Sequence, residues 1–100
     1  MEIENFKLRL LLSAQRALLG EIYPEIRAIT VGFRNRQLQI IYYLNRVPIE
    51  IDFESIGIVS SQIFSDFSFD FDSVDEECKY YQNSLTELRD SNFLVYMRKE

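Results

Sequence analysis

RAITVGFRNRQLQIIYYL, residues 27–44, consists of two runs rich in Ile, Val, Thr, Phe and Tyr on either side of Asn35 and Arg36. Such residues favour extended backbone, and a two-residue gap suits a tight hairpin, although Arg at the second turn position is less favourable than Gly. Residues 27–34 and 37–44 are therefore expected to form two antiparallel strands. Alternation places Ala28, Thr30, Gly32 and Arg34 on one face and Ile29, Val31 and Phe33 on the other. One face should be buried against helices and the other wetter.

Working outward, residues 5–19 predict a first helix. Phe6, Leu10, Ala14, Ala17 and Leu18 keep helical spacing, Leu8, Leu11, Leu12 and Leu19 widen the stripe, and Lys7, Arg9, Gln15 and Arg16 should face water. Gly20 sits where a left-handed C-cap is favoured, and Pro24 closes the connection. Downstream, Phe53, Ile56, Val59, Ile63 and Phe67 return to helical spacing and predict a second helix over residues 50–66, weakened by Gly57 and several β-branched residues. Residues 74–82 and 92–98 predict two more strands, joined by the polar connection NSLTELRD, which has room for a helical turn. The expected fold is α+β: one domain spanning residues 1–100, in the order α-β-β-α-β-β, with a mostly antiparallel sheet of about four strands packed against helices.

Composition narrows the function. A chain of 100 residues with 47% hydrophobic content suits one small core. No apolar run approaches the roughly 20 residues that span a bilayer, and no secretory signal pattern opens the chain, so a soluble protein is expected. Cys78 is the single cysteine and there is no histidine. That removes an intramolecular disulfide, the commonest general base and the commonest transition-metal ligand, and makes a reducing compartment the simpler expectation.

Charge is unevenly spread. Residues 47–78 hold nine acids (Glu50, Asp52, Glu54, Asp66, Asp70, Asp72, Asp75, Glu76 and Glu77) and no Lys or Arg, whereas the rest of the chain holds seven acids and eleven bases. The densest part is SDFSFDFDSVDEE, residues 65–77, in which Phe67, Phe69 and Phe71 alternate with polar residues. Asp66, Ser68, Asp70, Asp72 and Glu77 match liganding positions of a calcium loop, but Phe71 stands where that loop needs Gly. Glu77-Cys78-Lys79 with Asp66 or Asp70 upstream resembles half of a metal-dependent nuclease site. A nuclease needs positive surface to hold phosphates, and this is the most negative part of the chain. The Phe alternation predicts an extended acidic rim with its rings on one side. Adjacent tyrosines, Tyr42-Tyr43 and Tyr80-Tyr81, should point one ring to each face of the sheet rather than form a base-stacking platform.

Three stretches carry a family resemblance: AQRALLGEIYPEIRAITVGF at residues 14–33, QLQIIYYL at 37–44 and LVYMRKE at 94–100, about a third of the chain. Together they resemble the small immunity proteins of bacterial contact-dependent growth inhibition (CdiI-type) and related polymorphic toxin systems. The resemblance implies a cytoplasmic antitoxin, not an enzyme, that binds the C-terminal domain of a cognate secreted toxin, a nuclease or tRNase with a basic cleft, and needs no cofactor, metal, nucleic acid or membrane. The expected toxin-binding surface is acidic: Asp66, Asp70, Asp72, Asp75, Glu76 and Glu77, then Glu50, Asp52 and Glu54, with Phe69 or Phe71 as an aromatic anchor if exposed. The alternatives are a small metal-dependent nuclease using Asp66 or Asp70, Glu77 and Lys79, and a generic acidic protein-binding adaptor. The second helix departs from the acid-rich helix of the resembled family, since ESIGIVSSQIF has its acids mainly before and after it.

Overall fold

The computed structural model describes residues 2–90 and 92–100, with side chains for residues 4–88 and 92–100. Helix α1 (Glu2–Ala17) leads to the hairpin β1 (Ile26–Arg34) and β2 (Gln37–Leu44), then α2 (Glu50–Asp66), β3 (Ser73–Tyr80), a 3₁₀ turn (Leu85–Asp90) and β4 (Phe93–Met97). This is the expected α-β-β-α-β-β order. The sheet runs β3-β2-β1-β4. Pairings β1–β2 and β1–β4 are antiparallel, whereas β2–β3 is parallel, because α2 carries the chain back to the end where β2 began.

The apolar strand β1 lies inside the sheet, and the charged strand SVDEECKY lies at its edge, where side chains keep access to water. A register shift between Ile26 and Ala28 leaves Arg27 as the extra residue. Ile26 and Ile29 thereby reach the same helix-covered face, with Val31, Leu38, Ile40, Tyr42 and Leu44. Asn35 takes the left-handed conformation at φ 56 in the two-residue turn, a position Asn tolerates better than most residues.

The second face is drier than the alternation implies. Ala28, Tyr43, Leu85 and Leu88 form a small second core there, with Ile41 and Tyr81 against it. The 3₁₀ turn supplies the leucines, so the connection NSLTELRD is a cover over the sheet. Tyr42 and Tyr43 do point to opposite faces, Tyr42 to the helices and Tyr43 edge-on to Tyr81 with centroids 5.1 Å apart. Gly32 lies beneath Asn92, whose side chain occupies the place a Cβ would take.

Both helices correct the expected inward faces. On α1, Leu10, Ala14 and Ala17 are buried, but Leu8 and Leu12 are exposed because they lie on the opposite side at 3.6 residues per turn, and Leu19 is exposed past the helix end. On α2, Ile56, Val59 and Ile63 are buried together with Asp52, Ser55 and Ser60, while Ile51, Phe53 and Ile58 face outward. The polar residues are inside because partners wait for them. Ser55 bonds Tyr42 Oη at 2.9 Å, Ser60 donates to Glu76, and Asp52 is held by Arg46, Tyr23 and the Ile49 amide.

Candidate functional site

Residues 65–77 do not form an extended rim. The Asp70 and Phe71 amides both donate to the Phe67 carbonyl, at 2.9 and 3.1 Å, which winds the chain into a helical turn after α2. Four-residue spacing then brings Phe67 and Phe71 onto the same side. They pack with Phe6 in edge contacts at centroid separations of 5.3 and 5.8 Å, and Phe6 meets Phe33 at 5.0 Å. Phe69, midway round the turn, points the other way and is 90% exposed. Of the two candidate anchors, Phe71 is core and Phe69 is surface.

The loop that presents Phe69 is clamped from the hairpin. Arg36 donates to both Asp72 oxygens at 2.8 and 3.1 Å and to the Phe69 carbonyl at 2.9 Å, and the Asp72 amide donates back to the Arg36 carbonyl at 2.7 Å. The Arg36 bonds hold the Asp72 carboxyl below its ordinary range. Fixing the backbone on both sides of an exposed aromatic lowers the ordering cost of a contact made through that ring.

The nine acids separate by environment. Asp52 is fully buried and belongs to the interior, which removes it from the expected surface. Burial resists its charge, but the Arg46 and Tyr23 hydrogen bonds and the Ile49 amide outweigh that and keep its carboxyl below the usual range. Tyr23 is raised well above an ordinary phenol, first by burial and then by Asp52. Asp66 accepts from Ser13 at 2.6 Å and Arg16 at 3.1 Å, tying α1 to α2, and those bonds lower its pKa. Glu76 accepts from Ser60, and Glu77 lies 3.6 Å from Lys79. Among the described residues, Glu50, Glu54, Asp70 and Asp75 make no ion pair. Three arginines from outside the acidic segment, Arg16, Arg36 and Arg46, fold back onto it. The field left over is smaller than the sequence count implied, and on the side of the Phe69 loop and β3 it rests on Asp70 and Asp75, with Glu77 shared with Lys79.

The nuclease alternative loses Asp66, which is held by Ser13 and Arg16 of α1, while Glu77 and Lys79 share a face of β3; among the described residues there is no group of three or more Cys, Asp or Glu that could hold a metal ion. Cys78 is half-buried on β3, and burial, helped by nearby carboxylates, pushes its thiol up to about 11, so it is a poor nucleophile. No helix of the described residues is long and apolar enough to cross a membrane.

What remains is a clamped loop with an exposed aromatic ring, the neighbouring Asp70, and the carboxylates of the edge strand β3, a set that suits contact with another protein. A family model for MafI2 immunity proteins matches residues 7–100. The chain belongs to the MafI2 immunity protein family. That family implies a cognate toxin as partner. The expected class, an immunity protein of polymorphic toxin systems, agrees with it, and the family is MafI2, not specifically the CdiI type of the resemblance. Among solved structures, a MamM CTD variant in a zinc form superposes with a TM-score of 0.47 at 11% identity, covering 82% of this chain and 89% of that one. No curated protein matches the chain.

Parts of the matched stretches are structural in this MafI2 member. Arg27, at the extra position of β1, donates to both Glu100 oxygens at 2.8 Å and to the Tyr81 and Asn83 carbonyls. Arg98 also reaches Glu100, at 2.9 Å, and the Pro24 carbonyl, at 2.7 Å. Arg27 and then Arg98 hold the Glu100 carboxyl down at about 2. The terminal R-K-E thus fastens β4 to the start of β1 and to the segment after β3. Sequence reasoning missed the exposed apolar residues of α2: Ile51 and Ile58, seven apart, share one flank of the outer face and Phe53 lies on the other, with Glu50 and Glu54 between. A signal existed: polar Asp52, Ser55 and Ser60 cannot share the outer face with these three if Ile56, Val59 and Ile63 are inside.

Proposed function

We propose that this MafI2 member neutralises its toxin without catalysis, by seating Phe69 in a pocket of the toxin while Asp70, Asp75 and Glu77 meet Lys and Arg around it. The observation that carries this is the 90% exposure of Phe69 on a loop clamped by Arg36. A phenylalanine kept in water on an ordered loop gains nothing within the monomer and suits the centre of an interface, where aromatic anchors dominate and charges form the rim. The exposed carboxylates suit a basic toxin, such as a nuclease or tRNase whose cleft holds phosphates, and would speed its encounter. Action in the cytoplasm of the toxin-producing cell, against a toxin of contact-dependent competition, is part of the proposal.

The test is co-expression of the chain with its cognate toxin domain, scored by growth, together with binding of the purified pair at several salt concentrations. Rescue should weaken for Phe69→Ala, and the on-rate should fall and lose its salt dependence when Asp70, Asp75 and Glu77 are all changed to Lys. Full rescue by both variants, with unchanged rates, would show that the interface lies elsewhere. Nucleic-acid cleavage by the purified chain with Mg²⁺, abolished by Glu77→Gln, would overturn the non-catalytic function.

A further inference from the structure

We propose, building on the immunity function above, that β3 offers its free edge to an extended basic segment of the toxin, which joins the sheet as a fifth strand. The order β3-β2-β1-β4 leaves β3 paired on one side alone. The Tyr81 amide donates to the Leu44 carbonyl at 2.9 Å, so alternation along the strand turns the N–H and C=O groups of Val74, Glu76, Cys78 and Tyr80 away from β2. No other backbone bond of the described residues reaches them. They form a ready row of donors and acceptors about eight residues long, enough for strand addition.

Side chains on the two faces of this edge define what would be added. On the helix side, α2 stands off from β3 and leaves a groove of about 420 Å³ lined by Ser61, Phe64, Ser65, Asp72, Val74 and Glu76. Ser60 holds Glu76 toward that groove. On the opposite face Asp75, Glu77 and Lys79 project from β3 and are exposed, with Glu77 3.6 Å from Lys79 and Asp75 in no ion pair among the described residues. An added strand sends alternate side chains to each face. Lys or Arg suits both, with an aliphatic stem over Phe64 and a charged head at Glu76 in the groove, or a head at Asp75 outside it.

A second copy of this chain suits the same edge less well in two registers. Antiparallel self-pairing centred on Glu76 would set the two Glu76 residues opposite each other and each Asp75 opposite Glu77, and in-register parallel pairing would place like beside like, whereas a register centred on Cys78 would set Glu77 opposite Lys79. The acids thus count against those two registers while leaving the edge open to a basic strand. The edge is also continuous with the Phe69 loop, which enters β3 through Asp72, so one toxin segment could engage both.

The test is amide hydrogen exchange on the intact chain, with two probes. The first is a peptide of about ten residues alternating Lys and Thr, and the second is the cognate toxin domain. Slowing of the Val74, Glu76, Cys78 and Tyr80 amides by about tenfold or more with the Lys peptide, and not with its Glu counterpart, supports the edge as a basic-strand acceptor. No slowing with either peptide counts against it. Toxin that binds and slows the same amides supports the inference; toxin that binds while they exchange at the free rate overturns it and leaves the immunity function standing. Toxin that does not bind at all overturns the immunity function itself. Glu76→Pro removes one outward donor on an edge strand, where proline is tolerated, and Glu76→Gln controls for the side chain. Toxin affinity should fall much further for Pro than for Gln, and equal losses would refute strand addition. Exchange on the wild-type chain decides the matter if the proline variant does not fold.

Discussion

Asp52 is where the fold is most exposed to a single change. Its carboxylate accepts from Arg46 at 2.6 and 3.2 Å, from the Ile49 amide at 2.7 Å and from the Tyr23 hydroxyl, with no exposure to solvent. It therefore joins the start of α2 to the segment after β2 and to the turn after α1. Removing one partner of a buried charged pair costs about 3–5 kcal/mol. Arg46 keeps 29% of its side chain in solvent and can be rehydrated, which places Asp52→Ala near the lower end, about 3 kcal/mol. For a domain of this size each kcal/mol shifts Tm by about 4–8 °C, so Tm should fall by roughly 12–24 °C. Urea unfolding followed by circular dichroism should show a lower midpoint with an unchanged m-value. Asp52→Asn keeps the volume and loses the charge, and it should lie between wild type and Ala.

The same residue predicts a pH dependence. Because the folded state holds the Asp52 carboxyl below its unfolded value, the unfolded chain binds more protons through that window. Its contribution is fully present above the unfolded pKa of about 3.9 and is lost as pH falls through the lower folded value. The stability gap between wild type and Asp52→Asn should therefore be constant near neutrality and close in acid. Equal midpoints for wild type and Asp52→Ala at neutral pH, or a gap that widens on acidification, would refute this account of the network.

Phe71→Ala should cost about 3–5 kcal/mol of stability, whereas Phe69→Ala should change stability by less than about 0.5 kcal/mol yet weaken toxin binding by about 2 kcal/mol, or roughly thirtyfold. Thermal melts and calorimetric titration separate the two effects. Gly57 lies mid-helix, and a methyl group placed on its Cα would meet nothing within 4 Å, so Gly57→Ala should stabilise α2 by about 0.5–1 kcal/mol in urea unfolding. With its thiol pushed up to about 11, Cys78 should react with a disulfide reagent near pH 8 about tenfold more slowly in the folded chain than in urea, the scarcer thiolate being partly offset by its greater nucleophilicity.

Much of this molecule is legible from its residues because the deciding signals are local. The two-residue turn at Asn35-Arg36, the period of α2 and the C-cap at Gly20 each act within a few positions, and the hairpin, the helix Glu50–Asp66 and the left-handed φ of 80 at Gly20 follow. The acidic bias of residues 47–78 and the stretches that resemble immunity proteins are also present in the chain itself. Local pattern could not say which acids would remain free. Arg16, Arg36 and Arg46 are distant from the acids they neutralise in sequence or lie outside their segment, and only folding brings them to Asp66, Asp72 and Asp52. Nor could alternation say which phenylalanine faces water. Spacing by two reads as a strand, but the aromatic cluster of Phe6 and Phe33 captures Phe67 and Phe71 through a helical turn and leaves Phe69 outside. The sequence by itself determined the elements, their order and the sign of the surface, because backbone preference and charge are carried residue by residue. The tertiary structure alone decided which ring and which carboxylates a toxin could meet, because burial and ion pairing depend on neighbours that the chain supplies from far away.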